Sequence, residues 1–146
     1  MMLIIMKRIE FDFNVSDRYE YFVTRDGHVY KVDTRNGKTE ECYYHISHGY
    51  RRIRVTDIDT GKRRYLRVGR LVGKCFVEGY QEGLVIDHID GNKLNDVQEN
   101  LEWVTISQNT QRAYDNGLVH DRGGWKSTPY SKRYGNTESC NNEYSL

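Results

Sequence analysis

Three observations predict an α+β fold. Residues 19–68 alternate apolar and polar side chains between turn signals, as antiparallel strands do. Residues 67–76 change to helical spacing. Residues 85–117 run apolar strand, polar loop, second apolar strand and helix. The expected architecture is an N-terminal antiparallel β-sheet with a short helix, followed by a strand–loop–strand–helix unit. The matching domain plan is a β-rich region over 1–76, a compact unit over 77–118 and a flexible tail over 119–146.

The elements follow in order. Leu3 to Met6 is too short for a membrane span or a signal segment and is expected to begin a strand. Glu20–Val23 and His28–Val32 flank the turn Arg25-Asp26-Gly27, a hairpin pattern. Asn36-Gly37 is a type I′ turn signal. Thr39–Tyr44, Tyr50–Thr56 and Arg63–Val68 then continue a meander, with turns at His48-Gly49 and Asp57–Lys62. In Arg67–Phe76, Val68, Leu71, Val72 and Cys75 fall on one helical face, although Gly69 and Gly73 are weak helix formers. Leu84–Ile86 and Leu101–Val104 are the strands of the last unit. Thr105-x-x-Gln108 opens its helix as a capping box, and Asn116-Gly117 closes it. The tail is rich in Ser, Asn, Gly and Tyr, and its Arg122, Lys126, Lys132 and Arg133 suit a phosphate backbone.

Composition narrows the class. The chain has 146 residues, a hydrophobic fraction of 37% and a net charge of +1, so its modest core leans on 12 tyrosines. The charge is unevenly spread. Residues 51–74 hold nine basic and two acidic residues, a balance of +7; residues 82–102 hold six acidic and one basic, a balance of −5. A basic surface beside an acidic pocket suits a polyanion gripped by one part and a cation held by the other. Three scattered cysteines with no CxxC pair argue against a zinc ribbon or disulfide framework and for a reducing cytoplasm.

Residues 85–117 concentrate the chemistry. Asp87 is a hard oxygen donor, and Asn109 offers a carboxamide oxygen from the following helix. Two oxygen ligands leave room for water and phosphate, which fits one Mg²⁺ or Mn²⁺ better than a closed zinc site. His88 suits a general base, because a neutral imidazole accepts a proton near neutral pH. Adjacent strand residues point to opposite faces, so Asp87 and His88 share a substrate only if the strand ends or twists there. Asp90-Gly91-Asn92 supports an ending. Asn100 is placed to brace the loop; Asp90 and Asp96 read as turn formers. Arg51, Arg52, Arg54, Arg63, Arg64, Arg67, Arg70 and Lys74 fit either a solvated sheet face or a β-ribbon on nucleic acid. Arg112 fits either a phosphate contact or an exposed position. His45-x-x-His48 reads as loop, Trp103 as core, and Cys42 and Cys75 as buried small residues.

The segments Val85-Ile86-Asp87-His88-Ile89-Asp90-Gly91-Asn92, Asn100-Leu101-Glu102-Trp103-Val104-Thr105 and Gln108-Asn109 resemble the HNH endonucleases, and among them the phage and intron-encoded homing type. Residues 50–76 resemble the region that precedes the motif in that family, and residues 19–32 its short β-rich module. The resemblance implies a ββα-metal fold and a DNA endonuclease that hydrolyses phosphodiester bonds. By it, His88 is the general base, Asn100 the central asparagine of the catalytic motif, and Asp87 with Asn109 the ligands of one divalent metal ion. It also implies double-stranded DNA as partner, a monomer or homodimer, no membrane association, and a phage-encoded protein acting in the bacterial cytoplasm. Two positions depart from the family pattern. Asp96 stands where relatives commonly have asparagine, and Gly69 where many have a histidine, a position expected to lie outside the site. The alternative reading is a non-catalytic DNA-binding protein or a phage packaging accessory that keeps the HNH scaffold.

Overall fold

The computed structural model describes residues 5–115. Nine strands form three antiparallel sheets. The first contains β1 (Met6–Arg8), β2 (Tyr19–Thr24), β3 (Val29–Asp33) and β4 (Thr39–Glu41), in that order. The second contains β5 (Tyr44–Ser47), β6 (Tyr50–Thr56) and β7 (Arg63–Arg67), and the third is the hairpin β8 (Val85–His88) and β9 (Leu101–Val104). Helix α1 (Val68–Phe76) follows β7 directly, and α2 (Ile106–Asp115) follows β9. The α+β class holds. The N-terminal strands, however, form two sheets where one was expected.

The division falls inside the expected strand Thr39–Tyr44. Pairing with β3 ends at Glu41, and Tyr44 pairs instead with Ile53 of β6. Tyr43, 88% exposed, sits at the changeover. The expected I′ turn also moves. At Asn36-Gly37 only the glycine has positive φ, and the Asp33 carboxylate accepts the Arg35 N–H, so a four-residue turn forms there. The two positive-φ residues that a two-residue hairpin needs are His48 (φ 54°) and Gly49 (φ 82°), between the paired Ser47 and Tyr50. His45 and His48 therefore lie on a strand and in a turn.

The core forms around α1. Val68, Leu71 and Val72 are fully buried with Val23, Ile53, Val55 and Leu66 from β2, β6 and β7, and Leu101 of β9 joins the same cluster. Each such side chain contributes roughly 1.5–3 kcal/mol by leaving water. The opposite side of α1 meets the β8–β9 hairpin at its glycines. A Cβ on Gly73 would lie 2.5 Å from Ile86 Cδ1 and 3.0 Å from Trp103 Cζ2. The residues that weaken the helix in isolation thus let the hairpin approach. Trp103 is buried, as expected, and its Nε1 donates to the Val77 carbonyl at 3.1 Å.

The α2 start signal is realised: Thr105 N donates to Gln108 Oε1 at 2.9 Å, and Gln108 N donates to Thr105 Oγ1 at 3.1 Å. The expected stop at Asn116-Gly117, the start of the first strand at Leu3 and the basic residues of the tail lie outside the described residues. Gly73→Ala is expected to lower stability in urea unfolding. The overpacking cost of about 1–3 kcal/mol exceeds the helix-propensity gain of up to ~1 kcal/mol, because Ile86 must shift and Trp103 give way to admit the new methyl group.

Candidate active site

The β8–β9 register pairs Asp87 with Glu102 and His88 with Leu101, so the two candidate residues face opposite sides of the hairpin. The strand ends at His88, as expected, but the alternation persists to its last residue. On the outer side, Arg112 of α2 donates from Nη1 to Asp87 Oδ2 and to Glu102 Oε2, both at 2.8 Å. The Glu102 and Asp87 carboxylates hold the guanidinium pKa well above its ordinary value. This reach across 25 residues turns the Arg112 face of α2 toward β8. Asn109, three residues earlier, shares that face.

On the inner side, His88 is 7% exposed, and its Nε2 lies 2.7 Å from Asp96 Oδ1. Asp96 is 3% exposed, and its second oxygen accepts from Arg51 Nε at 2.9 Å. Arg51 Nη2 donates in turn to the Gly27 carbonyl at 3.0 Å. Asp96 is therefore a buried ion-pair partner, where the sequence suggested a turn former. Gly69 is likewise no bystander: a Cβ there would lie 2.6 Å from Asp96 Oδ1 and 3.3 Å from His88 Nε2. The Tyr50 ring lies 6.0 Å from the His88 ring. Asp96 and Gly69 stood out in the sequence only as departures from the family pattern; that they meet at His88 was not legible, because each neighbour comes from a different element.

The loop after His88 is held by its own carboxamides. Asn100 Oδ1 accepts the Asp90 N–H at 3.0 Å, and Asn100 Nδ2 donates to Asp90 Oδ1 and to the Asn95 carbonyl, both at 2.9 Å. Asn95 Nδ2 donates to the other Asp90 oxygen at 2.9 Å. Hydrogen bonds from Asn95, the Asn92 N–H and Asn100 hold the Asp90 carboxyl below the usual carboxylate range. Asn100 is thus a brace for the loop, and the loop carries Asp96 to His88.

The arginine-rich stretch separates by strand alternation. Arg51 and Arg64 turn inward, Arg51 to Asp96 and Arg64 to Asp57 at 3.0 Å. The Arg64 hydrogen bond is the main reason that the Asp57 carboxyl is lowered. Arg70 lies over the Trp103 ring and Lys74 over the Tyr80 ring, where they secure the segment after α1. On the other face of the second sheet, the register places His45, Arg52 and Arg67 in one row and Arg54 with Tyr65 in the next, and Thr56 with Arg63 closes it. Arg67 stacks on Tyr50 at 3.7 Å from the ring centroid, and Lys93 of the polar loop lies 4.9 Å from the same ring. Tyr50 thereby joins this basic face to His88.

This geometry has matches among known proteins. Residues 78–111 match the family model described as HNH endonuclease. DNA endonuclease I-HmuI of Bacillus phage SP01 is 40% identical over 100 residues, which cover 68% of this chain and 55% of that protein. The SPbeta prophage-derived putative HNH homing endonuclease YosQ of Bacillus subtilis (strain 168) is 42% identical over 99 residues, 68% of this chain and 56% of that protein. A solved structure described as DNA binding and cleavage by the HNH homing endonuclease I-HmuI matches with a TM-score of 0.59 and 35% identity, over 80% of this chain and 65% of that one.

Residues 78–111 therefore form an HNH endonuclease unit. The chain spans just over half the length of these two curated relatives. In this HNH unit the donor set fits a hard divalent ion. Asp87 supplies a carboxylate, the Asn109 carboxamide shares the α2 face turned toward it, and a guanidinium charge already stands at the Asp87 and Glu102 oxygens. Among the described residues no three His, Cys, Asp or Glu side chains form a closed metal cluster. Two surface hollows, one at Arg25, Phe76 and Gln98 and one along residues 41–46, share none of these residues.

Asn100→Ala is expected to lower stability at pH 7 by about 1–3 kcal/mol, because it removes a buried brace. Asp90 has a depressed folded pKa, so its contribution is present above the unfolded carboxylate value of about 3.9 and is lost as pH falls through the folded value. Removing Asn100 takes away one cause of the depression. Urea midpoints measured from pH 7 down to pH 2 should therefore fall less steeply in the variant.

Proposed function

We propose that this chain is a divalent-metal-dependent DNA endonuclease of the homing type, with His88 as general base and Asp87 and Asn109 as metal ligands. The observation that carries the reading is the position of His88 at the end of β8, with Nε2 held 2.7 Å from Asp96 Oδ1. A bound Mg²⁺ or Mn²⁺ would place positive charge on the scissile phosphate and the departing 3′ oxygen. His88 Nδ1 takes a proton from the attacking water as its oxygen bonds to phosphorus. The bond from phosphorus to the 3′ oxygen breaks and that oxygen takes a proton from solvent water, which leaves 5′-phosphate and 3′-hydroxyl ends. Because Asp87 and His88 face opposite sides of the hairpin, the phosphate must lie across its end, within reach of both.

Duplex DNA is the substrate that the basic face favours. Arg52, Arg54, Arg63 and Arg67 share one sheet face with tyrosines between them, a surface suited to a phosphate backbone. That a phage relative is an HNH homing endonuclease which binds and cleaves DNA supports the same substrate. Phage and prophage relatives favour a phage-encoded protein acting inside a bacterial cell. Among the described residues no helix is long and apolar enough to cross a membrane. One site cuts one strand, so a monomer nicks and a homodimer breaks both strands.

The deciding test is conversion of supercoiled plasmid with Mg²⁺, Mn²⁺ or EDTA. Open circles that need metal and disappear with His88→Ala, while gel-shift affinity persists, are expected. Binding without cleavage under every metal condition would select the non-catalytic reading instead.

The arginines yield a separate prediction. Binding should weaken with salt, and Arg54→Ala and Arg63→Ala should each reduce the slope of log K against log salt by about 1. Arg64→Ala should leave that slope unchanged and lower the melting temperature, since it unpairs the buried Asp57. An equal loss of slope in Arg64→Ala would overturn the division of the two faces.

A further inference from the structure

We infer that Asp96, held by Arg51, is a positioning residue that sets the tautomer and orientation of His88. The inference rests on the nuclease reading above and extends it to a residue on the far side of the base.

The argument begins with hydrogen-bond inventory. A carboxylate only accepts. Arg51 Nε donates to Asp96 Oδ2 at 2.9 Å, and Asp96 Oδ1 faces His88 Nε2 at 2.7 Å. At that oxygen the imidazole must donate, so in the neutral ring the proton resides on Nε2 and the lone pair on Nδ1. The side chains involved are deeply buried: Asp96 is 2% exposed and His88 6%. Solvent therefore cannot easily exchange places with either partner.

Orientation is fixed from three sides. Asp96 bonds one ring nitrogen. The bare Gly69 backbone of α1 closes behind the pair, where a Cβ would lie 2.6 Å from Asp96 Oδ1. The Tyr50 ring stands 6.0 Å away and is itself covered by Arg67 at 3.7 Å. Arg51 in turn is tied to the β2–β3 turn through the Gly27 carbonyl at 3.0 Å. The line Gly27–Arg51–Asp96–His88 thus joins the first sheet to the base.

A carboxamide at position 96 would behave differently. The Arg51 Nε–H still requires an acceptor and would take the carboxamide oxygen. The amide nitrogen would then face the imidazole as a donor. His88 would have to accept at Nε2 and carry its proton on Nδ1, the atom the reaction needs bare. Arg51 and Asp96 therefore form a matched pair in this chain, and asparagine alone cannot replace Asp96.

The test is a two-bond ¹H–¹⁵N correlation spectrum of the full chain labelled at histidine, with His88 assigned by the signals that vanish in His88→Gln. The native protein is expected to show the Nε2–H tautomer at His88. Asp96→Asn is expected to shift it to Nδ1–H and to lower kcat for plasmid nicking by roughly 100-fold or more, with DNA affinity unchanged. A native Nδ1–H tautomer would overturn the inference, even if the variant failed to fold. So would an Asp96→Asn protein that keeps both the Nε2–H tautomer and its kcat. The tautomer is read without DNA. Absence of nicking by a native chain that shows Nε2–H would therefore count against the nuclease reading and leave the pairing intact.

Discussion

A carboxylate is costly to bury without partners, and Asp96 is the buried carboxylate on which this arrangement turns. Its partners come from three separate parts of the chain: Arg51 at the start of β6, His88 at the end of β8, and the bare backbone of α1 at Gly69. The pairing brings little net stability by itself, since desolvating two charges offsets much of their attraction. What it imposes is geometry. If the loop shifts, the Arg51–Asp96 ion pair is broken inside the protein, which costs several kcal/mol. The loop, the second sheet and α1 are therefore tied to one relative position, and His88 is held within it.

Helix α1 makes that position available. Its apolar face is the centre of the core, and its glycine face lies against the β8–β9 hairpin. A helix with side chains at Gly69 and Gly73 would hold the hairpin farther away, out of reach of both the Asp96 pair and the Leu101 contact with the core. Low helix propensity at these positions is offset by the packing it permits. The same helix sets Arg70 and Lys74 over Trp103 and Tyr80, so basic residues that look available for a polyanion are used to secure the segment before β8.

The second sheet divides its charges by the same economy of faces. The inward arginines, Arg51 and Arg64, each meet a buried aspartate, and the outward row keeps its arginines among tyrosines. Tyr50 stands where the outward face meets the site, under Arg67 and Lys93 and beside His88. The family match spans residues 78–111, which include His88 and the polar loop beside it. The surface that leads to it is continuous with the basic face.

Local sequence determined most of the elements. Alternation marked β2, β3, β6 and β7, the capping box at Thr105 marked α2, and the run from Asp87 to Asn109 marked the family and the candidate ligands. These signals are carried by neighbouring residues, whose spacing reflects strand or helix geometry directly. Tertiary structure decided what spacing does not encode. It divided Thr39–Tyr44 between two sheets and put the I′ turn at His48-Gly49. It also drew Asp96, Arg51 and Gly69 around His88. Asp96 lies 45 residues from Arg51 and eight from His88, and it stands in an irregular loop that no strand or helix period describes. Only the closure of the loop onto α1 and β6 brings these three together, because a buried carboxylate must find its donors wherever the fold places them.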